Sequence, residues 1–159
     1  MSAVAVERHI PPPLRLFIPG RPVPQGSKNV FNGNLVEQNA KGIKTVRKAV
    51  ADAFTESGHP GFRREAACEA QFTFYFDRPA KHWVAGRKGG TLKENAPKYH
   101  SNKPDRDKLD RTVNDALTQC GVWFDDCRNV DGPSTKEYTN DGVEGQGTEI
   151  VVQFREWRD

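Results

Sequence analysis

The chain has 159 residues, of which 35% are hydrophobic and 28% charged, with a formal net charge of +3. That length supports a single domain with a real core and falls short of two. No apolar run approaches the roughly twenty residues that a membrane-crossing helix needs, and Met1 is not followed by an apolar signal segment. Cys68, Cys120 and Cys127 form neither a Cys-x-x-Cys pair nor an even-numbered framework, so a reduced, cytoplasmic protein without a membrane partner is expected. His9, His59, His82 and His100 are scattered, and none stands at a ligand-like spacing from a cysteine, which argues against zinc.

Residues 1–13 end in three prolines and read as a flexible leader, with one domain expected over 14–159. Leu14 to Ile18 has the composition of a first strand, stopped by Pro19-Gly20. The proline-rich, partly basic stretch from Arg21 to Lys28 cannot supply ladder donors and is expected to be a loop. Asn39 stands where a helix cap belongs. Ile43, Val46, Val50, Ala53 and Phe54 then follow helical spacing, and Gly58 with Pro60 supplies the stop. From Ala67 to Phe76 the apolar residues Phe72, Phe74 and Phe76 alternate with Gln71, Thr73 and Tyr75, the pattern of a half-buried strand.

Residues 79–104 lack periodicity and read as a long surface loop. They carry Lys81, Arg87, Lys88, Lys93, Lys98 and Lys103 against the single acid Glu94. A helix is predicted from about Asp107 to Gln119, with Leu109, Val113, Ala116, Leu117 and Cys120 on one stripe and Asp107, Arg111, Asn114 and Asp115 opposite. Gly121 ends it. Val122 to Val130 and Lys136 to Tyr138 read as strand material, and Thr148 to Phe154 reads as the closing strand. The fold class expected is α+β, a small mixed sheet of three to five strands packed against two main helices.

The chemistry concentrates between Lys103 and Asp131. Asp105 and Asp107 stand at the entrance of the predicted helix and Asp125-Asp126 after its exit, so a helix of about four turns and a tight return can bring the pairs together. Asp105, Asp107 and Asp126 form a set of carboxylates with no histidine or cysteine, which selects an oxygen-loving ion, foremost Mg²⁺, with Mn²⁺ expected to substitute. Phosphodiester hydrolysis is the natural chemistry of such an ion. Arg111 lies one turn beyond Asp107 and can stabilise charge on a reacting phosphate.

A basic stretch running into an acidic cluster suits a polyanion held while a metal acts on it. Lys28, Arg87, Lys88, Lys93, Lys103 and Lys108 are the candidate phosphate contacts. The plainer alternative is that Asp107 caps its helix, Asp125-Asp126 forms a turn and the basic loop is merely solvated. A calcium-binding EF-hand loop starting at Asp105 is excluded, because its sixth and twelfth positions would be Asp110 and Ala116 rather than glycine and glutamate. An Asp-x-Asp phosphatase or glycosyltransferase would carry its motif after an apolar strand, whereas the residues before Asp105 are polar.

The run Asp105-Arg-Asp107-Lys-Leu109-x-Arg111, then Asp115-Ala-Leu117-Thr, Gly121-Val-Trp123-Phe-Asp125-Asp126 and Val130-Asp131, resembles the RusA family of Holliday junction resolvases, with the family's spacing and no gap. The Pro-Gly-x-Pro element at 19–22 and the order of elements elsewhere fit more loosely. The resemblance implies a RusA-like fold and a Mg²⁺-dependent homodimeric endonuclease. Such an enzyme binds four-way DNA junctions and nicks two opposed strands symmetrically, in DNA recombination and repair. It also implies Asp105, Asp107 and Asp126 as the essential carboxylates. Two positions depart from the family pattern. Arg111 stands in place of a catalytic lysine, which preserves charge but not proton transfer near neutrality, and Lys108 replaces an asparagine. Two other readings stay open: a junction-binding or DNA-binding module without chemistry, and a small-molecule metal phosphoesterase.

Overall fold

The computed structural model describes residues 10–26, 28–37, 39–62 and 67–155. Among these residues seven strands and two α-helices occur in the order β1 (Leu14–Pro19), β2 (Lys28–Phe31), β3 (Asn34–Glu37), α1 (Ala40–Ser57), β4 (Cys68–Phe76), α2 (Arg106–Cys120), β5 (Asn129–Asp131), β6 (Ser134–Tyr138) and β7 (Gly147–Phe154). β4 is the axis of a five-stranded mixed sheet. It pairs antiparallel with β7, which pairs antiparallel with β1, and its other edge takes β5 and then β6, both parallel. The expected α+β class, a small mixed sheet with two main helices, is what the chain forms.

Alternation makes the core. Leu14, Leu16 and Ile18 of β1, Phe72, Phe74 and Phe76 of β4, and Ile150, Val152 and Phe154 of β7 point to one face, and all are buried. α1 and α2 pack on each other above that face, delivering Val50, Leu109, Val113, Ala116 and Leu117 to the same cluster. Truncating a fully buried residue such as Leu109 removes on the order of 2–5 kcal/mol in cores of this kind, so the α2 stripe is essential to the fold rather than available as an exposed surface.

Several local expectations are corrected. Asn39 precedes α1, but its side chain caps nothing; Nδ2 donates to the Pro24 carbonyl at 3.3 Å, tying the proline-rich loop to the helix. Lys28 opens β2 instead of lying in a loop, and β2 and β3 form a hairpin absent from the sequence reading. Of the stretch 122–130 only Asn129 and Val130 are strand, opening β5, because Asp126–Arg128 makes a 3₁₀ turn. Of the expected leader, residues 1–9 lie outside the described residues, whereas Ile10 packs against the core and Pro11 is buried.

The loop 79–104 is better ordered than its composition suggests. Two short 3₁₀ turns carry it, and His82, Trp83 and His100 are buried. His100 stacks on Phe76 at 3.9 Å and meets Tyr138, while His82 meets Tyr138 edge-on at 4.7 Å. Burial first, then the charges of Lys136 and Arg21, hold His100 below the ordinary imidazole range. Burial, then Arg78, Lys81 and Lys93, do the same to His82.

The unfolded chain therefore binds more protons than the folded one just below pH of about 6.5, and stability must fall as pH drops through that region. Thermal midpoints measured between about pH 7.5 and 5 should decline. His100→Gln should flatten the decline, and an unchanged slope would remove His100 as its source.

Candidate active site

Asp105 is the residue at which α2 begins: its backbone is extended (φ −69°, ψ 141°), while its carbonyl accepts from Leu109 N–H at 3.3 Å. Its carboxylate makes no cap bond, is about half exposed and lies 3.9 Å from Lys108 Nζ. Asp107 sits in the first turn, exposed to solvent, where the helix dipole favours a negative charge. A side-chain capping bond is thus absent at Asp105, while the first-turn position of Asp107 fits a favourable interaction with the helix dipole.

The approach to Asp105 is held from across the sheet. Lys136 stands opposite Phe74 in the β4–β6 ladder and so shares the helix-covered face. Its ammonium donates to the carbonyls of Asn102 and Pro104, the latter at 2.6 Å. Burial lowers the Lys136 pKa, and the charge of Asp105 acts in the opposite direction. One turn further along α2, Ser134 Oγ donates to Asp110 at 2.9 Å, and Arg106 donates to the Ser134 carbonyl at 3.3 Å. Burial raises the pKa of Asp110, whose second oxygen has no hydrogen-bond partner.

The proline-rich loop lies along the other flank of α2. Gln25 N–H donates to the Lys108 carbonyl at 3.0 Å, Thr112 Oγ1 to the Val23 carbonyl at 2.7 Å, and Gln25 Nε2 to Asp115 at 2.7 Å. These bonds bring Gly26 against Arg111 so closely that a Cβ there would stand 2.7 Å from Nη1. Glycine at 26, with φ of +104°, leaves room for the guanidinium.

At the other end of α2, Gly121 adopts the left-handed conformation and ends the helix, its N–H donating to the carbonyls of Leu117 and Thr118. Trp123 is buried and donates Nε1 to Thr118 Oγ1 at 2.7 Å, which turns the chain outward at Asp125. Asp125 accepts from Cys127 N–H at 3.1 Å, and that bond, with one from Asp126, holds its carboxyl low. Asp126 is pushed up, first by its hydrogen bond with Asp125 and also by the charges of Asp125 and Asp115. The opposite directions of the two neighbours are the behaviour of crowded carboxyls, with Arg128 adding to the lowering of Asp125.

Asp105 and Asp107 thus stand at the head of α2, whereas Asp125 and Asp126 follow its exit, with Asp126 within electrostatic reach of Asp115 on the body of the helix. Among the described residues no three His, Cys, Asp or Glu side chains are gathered closely enough to hold an ion as they stand.

One cleft opens beside Asp105 and a second adjoins it. The first, of about 400 Å³, is lined by Arg21, Asn39, Lys103, Asp105 and Lys108. The other, of about 510 Å³, is lined by Arg78, Lys88, His100 and Tyr138, and shares Arg21 and Lys103 with the first. Of the candidate phosphate contacts, Lys103, Lys108 and Lys88 therefore meet along one basic track, with Lys88 paired to Asp77 at 2.7 Å. Arg87 and Lys93 are exposed on the loop beyond. The backbone of Lys28 opens the hairpin and is not on this track.

Sequence reading missed Arg21, Arg78 and Lys136. The Pro-Gly-Arg-Pro element pointed to Arg21, but nothing local marks Arg78 or Lys136, whose partners lie across the fold.

No protein family model matches the chain, and no curated protein matches it. Among the described residues no helix is long and apolar enough to cross a membrane.

If the track binds a polyanion, replacing Arg87, Lys88 and Lys93 together by alanine should weaken DNA binding in a salt-sensitive way. Each lost phosphate contact lowers the log–log salt slope by roughly 0.9. An unchanged slope would return these side chains to the status of a solvated loop.

Proposed function

We propose that this protein is a RusA-like, Mg²⁺-dependent endonuclease that resolves four-way DNA junctions by paired symmetric nicking, acting in recombination and repair as a cytoplasmic homodimer. The observation that carries the reading is the cleft in which Asp105 opens onto Arg21, Lys103 and Lys108: an anionic ligand group facing a basic track continuous with Lys88 and Arg78. The resemblance between Asp105 and Asp131 supports the same conclusion. A junction has approximate two-fold symmetry, so a symmetric dimer presents two equivalent sites to two equivalent phosphates.

The donor chemistry fits the ion. Asp105, Asp107 and Asp126 are exposed carboxylates, and a dication would offset the neighbouring negative charges that raise the Asp126 pKa. These three would hold Mg²⁺, with Mn²⁺ substituting, and the bound ion would activate a water and neutralise charge on the leaving oxygen. The remaining work belongs to the chain. Lys136 fixes the carbonyls on either side of residue 103 and so positions Asp105. Arg21, Lys103 and Lys108 hold the backbone phosphates, and Arg111, kept in place against Gly26, stabilises charge on the reacting phosphate.

One observation favours a second reading, a junction-binding module without chemistry: the three carboxylates are not gathered into one ligand set. Incubating the protein with a labelled four-way junction separates the two. Paired nicks in Mg²⁺ or Mn²⁺ support the endonuclease, and binding without nicks in either ion supports the module. Turnover of nucleotides or a chromogenic phosphate ester that junction DNA does not inhibit would instead identify a small-molecule phosphoesterase.

A further inference from the structure

Among the described residues the hairpin of β2 and β3 pairs with no other strand. Its turn at Asn32-Gly33, with both φ angles positive (48° and 79°), is the tight type that matches strand twist. At the tip, Val30 and Phe31 are 71% and 68% exposed. A lone two-stranded hairpin is marginal in water, and this one is anchored at its root, where Gly26 N–H donates to Glu37 at 3.2 Å. The root adjoins the candidate site: Gly26 lies against Arg111, and Gln25 holds Asp115, whose charge acts on Asp126.

Between the hairpin and α1 runs a groove of about 680 Å³ lined by Gln25, Glu37, Lys41, Lys44 and Arg47. Lys41 and Lys44 are exposed, Arg47 reaches toward Asp115 at 3.9 Å, and its Nε is buried without a hydrogen-bond partner. The groove's acid, Glu37, is engaged by Gly26. An interface core for a protein would be depleted in lysine. A cationic groove beside an exposed aromatic tip matches what single strands and branch points offer, phosphates together with base faces.

We propose that the β2–β3 hairpin and the basic flank of α1 clasp a nucleic-acid strand. Lys41, Lys44 and Arg47 hold its phosphates, and Phe31 stacks on a base opened at the branch. The inference rests on the nuclease reading and adds a second contact region, separate from the track through Arg21 and Lys103.

The test uses the full chain without divalent metal, so that cleavage does not intervene, and follows anisotropy of a labelled four-way junction with 2-aminopurine beside the branch. Parent protein should raise the 2-aminopurine fluorescence. Phe31→Ala should abolish that rise and weaken binding about tenfold, the usual effect of one lost stacking contact. Lys41→Gln, Lys44→Gln and Arg47→Gln combined should lower the salt slope by roughly 0.9 for each contact removed. Circular dichroism confirms that each variant folds.

Parent binding with the slope and the 2-aminopurine signal unmoved in the variants overturns the clasp and leaves the nuclease reading standing. A parent that binds no DNA overturns both. Variants that change the oligomeric state by sedimentation at unchanged DNA affinity make the hairpin a contact between copies of the chain, which also overturns the clasp.

Discussion

Asp107→Asn and Asp126→Asn are each expected to lower junction cleavage by about a thousandfold or more. An ion that stabilises a phosphoryl transition state contributes several kcal/mol, and each decade of rate corresponds to about 1.36 kcal/mol. Both residues are exposed and the substitution is nearly isosteric, so folding should be unaffected. Junction binding should persist or tighten, because a negative charge beside phosphates has been removed. Steady-state cleavage in Mg²⁺, read beside a metal-free binding isotherm, separates the two effects. A variant that cleaves at the parental rate is missing no ligand, and the proposed set would have to be redrawn without that residue.

Arg111 carries the second large effect. As a fixed charge beside the reacting phosphate it should tolerate Arg111→Lys with much of the activity retained, whereas Arg111→Ala should lose roughly two to three orders of magnitude, the usual loss of one transition-state donor. A proton-donor role predicts the reverse order for lysine. Burial and neighbours can bring a lysine toward neutrality and cannot do so for arginine, so Arg111→Lys would then exceed the parent and add an alkaline limb to the pH–rate profile. Full activity in Arg111→Ala would sink both roles.

Much of the fold was legible because periodicity follows burial directly. The three phenylalanines of β4 and the apolar stripe of α2 alternate as their elements require, and Gly58 and Gly121 end their helices with positive φ. The hairpin was hidden because its strands are only four residues long, and its tight Asn32-Gly33 turn stands within a stretch without strict alternation. Residues 122–128 looked like strand because Val122, Trp123 and Phe124 are apolar. In fact the first two enter the core from a turn, and Asp125 then starts a 3₁₀ helix by accepting from Cys127.

The site divides in the same way. Asp105, Asp107 and Arg111 could be related by spacing along one helix, whose geometry fixes where they stand, whereas Asp126 could be named only by its place after the helix exit. Arg78 and Lys136 could not, because each acts through partners distant in sequence: Arg78 through Asn140, Pro97 and Tyr138, and Lys136 through Asn102 and Pro104.

Lys136 gives the sheet a further part in the chemistry. It is the outer member of a row that runs Ile18, Thr148, Phe74, Lys136 across four strands, and its ammonium sets where the chain stands just before Asp105. The place of Asp105 therefore depends on a strand paired to the core strand β4 and not on its own loop alone. If Asp105 is the ion ligand proposed above, a conservative change at Phe74 that leaves the chain folded should displace that reference point and alter ion affinity at a residue it never touches. Sequence drift along the row would then be limited by the position of Asp105 as much as by packing.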